Sequence, residues 1–254
     1  MTNDSILINK KNIYSQNGED GIINYIFKKL NITKGNFIEF GAWDGKHLSN
    51  TYNLFLNGWD GIYIELDKKR SEQLFDNFYN YKERITCINT MVGYSENDNL
   101  DTIIDSSSHP NKNFDFISID VDGLDYFIFK SINKYLPKVI CIEVNAGHDP
   151  LYENEIPLHI ASNNIGQSIK IINDVAEQKG YFSLCYTGNL FLIRNEFKHL
   201  FYNDIKNIKD IYVDFLKYLD RPAIIHLYNT FILKKIYNGF LFENNTLQEF
   251  LDKR

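Results

Sequence analysis

The chain has 254 residues, of which 44% are hydrophobic and 24% charged, and its formal net charge is −6. This composition supplies enough apolar material for a core and excludes disorder over most of the length. The acidic balance argues against non-specific binding of nucleic acid, which needs a basic surface. The sequence has no apolar run of about 18 residues and no secretory signal, so we expect a cytoplasmic protein without a membrane span.

From residue 35 onward, short apolar runs alternate with helical patterns. Five strands are predicted, over 37–41, 61–66, 85–92, 114–120 and 138–144. Helices are predicted around 50–56, 68–80, 124–136 and 167–179, with a short helix or turn over 99–105. This alternation predicts βαβ units and a mostly parallel sheet, and the nearly continuous apolar runs are typical of strands that are buried on both faces.

The end of this region breaks the alternation. Apolar runs over 181–187 and 190–195 flank Gly188-Asn189, a pattern that predicts a β-hairpin. We therefore expect the parallel sheet to end in an antiparallel hairpin. Residues 196–254 carry Phe, Tyr and Leu at helical spacing. They are predicted to form a helical extension whose apolar stripe faces the core or a homodimer interface.

The segment Glu39-Phe40-Gly41-Ala42-Trp43-Asp44-Gly45 lies where the first predicted strand gives way to a helix. Glycines permit a sharp turn and a close approach to a ligand, and nucleotides bind at such strand ends. The spacing departs from the dinucleotide fingerprint, which has a glycine where this chain has Glu39. A carboxylate at that position suits a ligand with a cationic group. A tight strand-to-helix turn without a ligand is the alternative.

Glu65 ends the second predicted strand, roughly 20 residues beyond the glycine turn, where an acidic side chain can accept hydrogen bonds from a ribose diol. A solvated carboxylate at a strand end is the alternative. The glycine turn and Glu65 together predict an adenosine-containing ligand, and Glu39 favours S-adenosylmethionine over NAD.

Two further acidic positions follow later strands. Asp120-Val121-Asp122-Gly123 comes after the fourth predicted strand, and Glu143 ends the fifth. In one interpretation, Asp120, Asp122 and Glu143 hold Mg²⁺ or Mn²⁺, which prefer oxygen ligands. In a second, the aspartates anchor the amino group of a cofactor and help to deprotonate an acceptor. In a third, Asp122 caps the following helix.

His148 follows the fifth predicted strand in a loop at the same sheet edge. Its unperturbed pKa lies near neutrality, which suits a general base. We predict that Asp120 and His148 are catalytic, with a surface loop histidine as the alternative for His148. His47, just past the glycine turn, could line the site.

Several segments occur in a fixed order along the chain. They are Tyr14-Ser15-Gln16-Asn17-Gly18-Glu19-Asp20, the segment from Phe37 to Gly45, Ser49-Asn50-Thr51, the segment from Gly58 to Glu65, and Ile119-Asp120-Val121-Asp122-Gly123. Together they resemble the FkbM-like S-adenosylmethionine-dependent methyltransferases. The resemblance implies an α/β, Rossmann-like class I methyltransferase fold with a seven-stranded, mostly parallel sheet whose last strand is antiparallel.

The resemblance also implies roles for individual residues. Glu39 and Gly41 would lie beside the methionine part of the cofactor, Glu65 would hold the ribose, and Tyr14 and Gln16 would belong to a segment that closes over it. The remaining predicted cofactor-binding residues are Gly45, Asn50, Thr51 and Asp120. We expect residues 1–34 to form the closing segment, 35–195 the methyltransferase domain and 196–254 the extension.

By resemblance, the expected activity is methyl transfer to a hydroxyl of a small acceptor, such as a sugar or a surface-polysaccharide (capsule) precursor. A nucleotide-linked sugar or a phosphorylated precursor is also a possible methyl acceptor. One alternative is a metal-dependent glycosyltransferase that uses Asp120-Val121-Asp122. Another is a non-catalytic binding or scaffold subunit. The glycine spacing disfavours an NAD-dependent oxidoreductase.

Overall fold

The structure, a computed structural model, describes residues 5–145, 149–161, 165–219 and 222–223. A seven-stranded sheet lies at its centre. The strands are β1 (Asn36–Phe40), β2 (Asp60–Glu65), β3 (Ile85–Asn89), β4 (Phe116–Ile119), β5 (Val139–Glu143), β6 (Tyr181–Tyr186) and β7 (Asn189–Arg194). The α-helices are α1 (Glu19–Lys29), α2 (Tyr52–Leu56), α3 (Lys68–Asn77), α4 (Leu100–Ser106), α5 (Asp125–Ser131), α6 (Leu158–Ala161), α7 (Ile169–Gln178) and α8 (Ile208–Tyr218).

The strand order is β3-β2-β1-β4-β5-β7-β6. All pairs from β3 to β5 are parallel, whereas β7 is antiparallel to both β5 and β6. This order confirms the predicted Rossmann-like class I methyltransferase fold and its terminal hairpin. From β1 the strand order runs to one side through β2 and β3 and to the other side through β4 and β5. At this switch point the carboxyl ends of β1 and β4 flank a crevice, where ligands bind in such folds.

The sheet is covered on both faces because successive strand residues point to opposite sides. Ile38 belongs to a core with α4, α5, α7 and α8, and Phe37 to a second core with α1, α2 and α3. Both residues are fully buried. This explains why the strands read as continuous apolar runs.

Side-chain caps define where several helices begin. Ser168 caps α7 by accepting a hydrogen bond from the backbone N–H of Ile171, and Asp67 caps α3 in the same way from Arg70. Such caps satisfy backbone donors that a helix leaves unpaired at its N-terminus. The glycine at 180, with φ of +83°, follows α7 and allows the chain to turn into β6.

Some predicted elements end earlier in the structure, and the structure contains a helix that the sequence analysis did not predict. Strand β3 ends at Asn89 rather than at residue 92, and α5 ends at Ser131 rather than at residue 136. Helix α1 was not predicted, although its apolar residues Ile22, Ile23, Ile26 and Phe27 recur at helical spacing. Acidic residues begin α1 and lysines end it, which favours the helix dipole.

The described part of the C-terminal extension packs on the sheet. A 3₁₀ helix spans Asn195–Phe201, and α8 follows it. The apolar stripe of α8, including Tyr212 and Phe215, is buried in the core. For this helix the structure therefore agrees with the first of the two predicted locations of the stripe, the core rather than a homodimer interface. Residues 224–254 lie outside the described residues. Among the residues that are described, no helix combines the length and the hydrophobicity needed to cross a bilayer.

Candidate active site

Two cavities open at the carboxyl ends of the parallel strands. The first, here called the β1–β2 cavity, has a volume of about 430 Å³ and lies at the ends of β1, β2 and β4. The second, here called the β5–β7 cavity, has a volume of about 370 Å³ and lies at the ends of β4, β5 and β7. Among the described residues, both cavities are lined by Gln16, Asp120, Asp122 and Asn189. The two cavities therefore form one cleft with a shared wall.

Glu65 lies at the end of β2 in the wall of the β1–β2 cavity, as predicted for a residue that binds a ligand there. Its two carboxylate oxygens accept hydrogen bonds from the backbone N–H groups of Trp43 and Asp67, each at 2.7 Å. These bonds fix the carboxylate while leaving it further acceptor capacity. The Arg70 guanidinium stacks at 3.9 Å from the Trp43 ring, at the same cavity.

Gly41 forms the turn after β1 and lines the same cavity. Its φ is +71°, and a Cβ atom at this position would overlap the carbonyl oxygen of Asp120. The glycine is therefore required by the close contact between the loops after β1 and β4. Gly45 also has positive φ, of +74°, but a Cβ atom there would press into the Phe78 ring, and Gly45 does not line the cavity.

Glu39 is buried at the end of β1 and organises the segment before α2. Its carboxylate accepts hydrogen bonds from Ser49 Oγ at 2.6 Å, Thr51 Oγ1 at 2.5 Å and the Asn50 backbone N–H at 3.0 Å. Burial raises the pKa of Glu39, and these hydrogen bonds act in the opposite direction. Glu39 and Asn50 line the cavity, whereas Thr51 is fully buried behind them.

An apolar recess of about 140 Å³ adjoins the β1–β2 cavity, with which it shares Glu65 and Leu66. Its other walls are mainly apolar and include Ile64, Met91 and Val92 from the ends of β2 and β3. The β1–β2 cavity, the Glu65 carboxylate and the apolar recess thus follow one another along the sheet edge.

The β5–β7 cavity is strongly acidic. Asp120, Asp122, Asp125 and Glu143 line it, and no lysine or arginine does so within the described part of the chain. Carboxylate oxygens of Asp120, Asp122 and Glu143 lie within 4.8 Å of one another. No ion pair among the described residues involves these three carboxylates. The structure therefore brings together all three predicted metal ligands.

The pKa values in this cluster reflect its surroundings. Burial raises the pKa of Asp120 to about 7, and the carboxylates of Glu143 and Asp122 add to the rise. Burial likewise raises the pKa of Glu143 to about 7, with further contributions from Asp125 and Asp122. Although Asp120 is open to solvent within the cleft, most of its surroundings are protein. A carboxyl group with such a pKa can exchange a proton near neutrality.

The interpretation of Asp122 as a helix cap is wrong. Helix α5 has Leu124 at its N-cap, without a side-chain hydrogen bond, and Asp122 has φ of +55° and faces the cavities. Asp125 instead accepts the backbone N–H groups of Val121, at 2.8 Å, and Gly123, at 2.9 Å. Asp125 is buried and folds this loop, a role that sequence reasoning missed because it depends on how the loop turns back on itself.

The segment before α1 contributes to both cavities. Asp20 accepts the backbone N–H groups of Ile13, Tyr14 and Ser15 at 2.7–2.8 Å and so folds this segment. Gln16 lines both cavities, whereas Tyr14 packs edge-on against Tyr52, with ring centroids 4.6 Å apart, and lines neither. The predicted closing segment thus reaches the cleft, and Gln16 is the residue that lines both cavities.

Of the two histidines considered for the site, the structure describes His47 but not His148. His47 lines the β1–β2 cavity and packs against Trp43, with ring centroids 4.9 Å apart. His148, the predicted general base, lies outside the described residues. Its catalytic role stays a prediction.

A larger cavity of about 580 Å³ lies away from this edge, against α7, β6 and α8. It is lined by Lys170 and Lys206, which pair with Asp174 and Asp214. Both lysines are therefore already paired, and none of the predicted site residues that the structure describes lines this cavity.

No protein-family model and no curated protein matches the chain. Solved structures that resemble it include an S-adenosylhomocysteine-bound methyltransferase from Podospora anserina (13% identity, 71% of this chain and 79% of the other, TM-score 0.45). Another is a carbon methyltransferase named CurJ (10% identity, 74% of this chain and 56% of the other, TM-score 0.45). A third is a SAM-dependent methyltransferase from Aquifex aeolicus (9% identity, 67% of this chain and 86% of the other, TM-score 0.40). Similarity at this level carries no information about the activity or ligand of this chain.

Proposed function

We propose that the protein is a S-adenosylmethionine-dependent O-methyltransferase of the FkbM-like type. The observation that carries this proposal is the divided cleft at the carboxyl ends of the strands. One cavity suits a cofactor and the other an acceptor, and they share a wall at Asp120 and Asp122. A group-transfer reaction between two bound molecules needs such an arrangement, because alignment of the reactants can supply about 7–11 kcal/mol of the barrier reduction.

The cofactor fits the β1–β2 cavity by its chemistry. Glu65 would accept hydrogen bonds from the ribose hydroxyls, and the adjoining apolar recess would receive the adenine ring. Glu39, Asn50 and Gly41 line the opposite part of this cavity and would face the methionine part. When bound, S-adenosylmethionine supplies an electrophilic methyl group on a sulfonium.

Asp120 is the proposed general base. It lines both cavities, so a carboxylate lies where the two reactants would meet and can take the proton of an acceptor. Asp120 would take the proton of the acceptor hydroxyl as the acceptor oxygen receives the methyl group. His148 is proposed to assist from the loop after β5.

Asp120, Asp122 and Glu143 are proposed to hold Mg²⁺ or Mn²⁺, since three hard oxygen donors converge within the distance that one ion can bridge. The ion would lower the pKa of the acceptor hydroxyl. Turnover that is unchanged in excess EDTA would contradict this assignment.

The proposed acceptor is a sugar or a capsule-polysaccharide precursor. Asn17, Asn145 and the carboxylates of the β5–β7 cavity offer hydrogen-bond partners for hydroxyl groups. The absence of lysine and arginine among the described lining residues favours an uncharged group over a phosphate in this cavity. A cytoplasmic location and a homodimer through the helices of the C-terminal extension, residues 196–254, stay predictions.

Thermal unfolding with S-adenosylhomocysteine, NAD⁺ or UDP-sugars tests the cofactor. A ligand at 100 times its Kd adds about 2.7 kcal/mol of stability, which raises Tm by about 5–11 °C at this chain length, where 1 kcal/mol corresponds to about 2–4 °C. We expect this shift with S-adenosylhomocysteine and not with NAD⁺. If S-adenosylhomocysteine leaves Tm unchanged and a UDP-sugar raises it in a Mn²⁺-dependent way, the proposal is contradicted. That result would favour a glycosyltransferase that uses Asp120 and Asp122.

A further inference from the structure

Glu19 is a buried carboxylate that the proposed reaction does not use directly. Its side chain is fully enclosed at the start of α1. Its Oε2 atom accepts the backbone N–H of Asn17 at 2.7 Å. Its Oε1 atom accepts Thr187 Oγ1 at 2.7 Å and Asn189 Nδ2 at 3.2 Å. One carboxylate thus joins the segment before α1 to the turn between β6 and β7.

These contacts lie directly behind the wall that the two cavities share. Of the residues that line both cavities, Gln16 precedes Asn17, which Glu19 anchors, and Asn189 is bound by Glu19 itself. The same two chain segments also meet at Gly188, where an added Cβ atom would lie 2.9 Å from Asn17 Nδ2. A small shift of either segment would therefore change the shared wall.

Glu19 also determines which way the Asn189 amide points. A carboxylate can only accept hydrogen bonds, so the amide must direct its NH₂ group to Glu19. Asn189 Oδ1 accepts no hydrogen bond from the described residues, and Asn189 lines both cavities.

We propose that Glu19 is a positioning residue for methyl transfer, which holds Gln16 and presents Asn189 Oδ1 at the wall between the two reactants. This inference rests on the proposed function. Glu19 touches neither reactant and acts through Asn17 and Asn189.

Replacement of Glu19 by glutamine disturbs this arrangement in a defined way. Glutamine has one amide oxygen and one NH₂ group, so either the Asn17 N–H or the Asn189 NH₂ group must face another donor, whereas the Thr187 hydroxyl can also accept. The Asn189 amide is then no longer held with Oδ1 toward the cleft.

The test compares two ligands of the same cavity by calorimetry. Sinefungin carries an amine where S-adenosylmethionine carries its sulfonium methyl, and S-adenosylhomocysteine has no group there. In Glu19→Gln we expect the Kd of sinefungin to rise about tenfold relative to that of S-adenosylhomocysteine, because the amine loses a positioned acceptor. Asp214→Asn, which removes a buried carboxylate remote from the cleft, should leave the ratio unchanged.

The ratio separates positioning from a loss of folded protein, which weakens both ligands equally. An unchanged ratio in Glu19→Gln would overturn the inference. A wild-type protein that binds neither ligand would overturn the proposed function itself, so the two failures are distinguishable.

A second pair of variants decides the matter if Glu19→Gln does not fold. Thr187 lines neither cavity but donates to Glu19. Thr187→Val should shift the ratio in the same direction by about threefold. Thr187→Ser, which keeps the hydroxyl, should retain the wild-type ratio. Equal ratios in the two variants would overturn the inference.

Discussion

At the scale of single residues, the glycine turn owes its composition to contacts between loops. Gly41 is the residue on which the loops after β1 and β4 meet, since any side chain would overlap Asp120. The same contact fixes the backbone of Asp120 beside the β1–β2 cavity. A residue that a motif assigns to the ligand thus acts first on the protein backbone.

Gly41→Ala is expected to abolish S-adenosylhomocysteine binding and to lower the free energy of unfolding by about 3 kcal/mol or more, through positive φ and overlap with Asp120. Gly180→Ala is the matched control. Gly180 has φ of +83°, but apart from its chain neighbours no atom of the described residues lies within 4 Å of an added Cβ. It should cost only about 1 kcal/mol and leave binding intact. Calorimetry and urea unfolding measure both effects, and equal behaviour of the two variants would contradict this account.

At the scale of elements, α8 is joined to the core by an apolar face and by one buried charge. Phe215 packs against Tyr186 of β6, with ring centroids 4.6 Å apart. Asp214 accepts a hydrogen bond from Lys206, which lies before the helix, and pairs with Lys217. Burial alone would raise the pKa of Asp214, but its interactions with Lys206, Ser5 and Lys217 outweigh burial and lower it.

This lowered pKa makes stability depend on pH. A carboxyl group whose folded pKa lies below its unfolded value of about 3.9 stabilises the fold above that pH and loses this contribution as the pH falls through the folded pKa. Asp214→Asn should therefore cost about 2 kcal/mol at neutral pH and progressively less below about pH 4. Urea unfolding of both proteins from pH 3 to 7 measures the difference, and a difference that is constant across this range would contradict the prediction.

At the scale of the whole molecule, the chain before the first strand belongs to the same core as the sheet. Ile6, Ile22 and Phe27 pack in one cluster with Trp59 and Phe201. The Phe27 and Trp59 rings lie 4.6 Å apart. Helix α1 and the 3₁₀ helix after β7 therefore complete one face of the sheet.

One cooperative transition should follow from this shared core. The chain has two tryptophans, Trp43 at the cleft and the buried Trp59. In Trp43→Phe, fluorescence reports only Trp59 and hence the docking of α1. We expect its urea transition to coincide with that of far-ultraviolet circular dichroism. A fluorescence change that precedes the loss of secondary structure would show that α1 undocks separately.

The sequence by itself determined the alternation of strands and helices, the terminal hairpin and the acidic positions at the strand ends. These features are local, because apolar periodicity and turn residues act over a few positions. It also placed Glu65, Asp120, Asp122 and Glu143 at one sheet edge, since parallel strands end on the same side.

Only the tertiary structure decided which of these residues line the cleft and which hold other segments in place. Glu19 meets Thr187 and Asn189 although 168 and 170 positions separate them in the sequence, and Gly41 meets Asp120 across neighbouring loops. Such contacts depend on which segments the sheet order brings together, and no local pattern encodes them. The division of the cleft into two cavities with a shared wall is therefore a property of the folded chain.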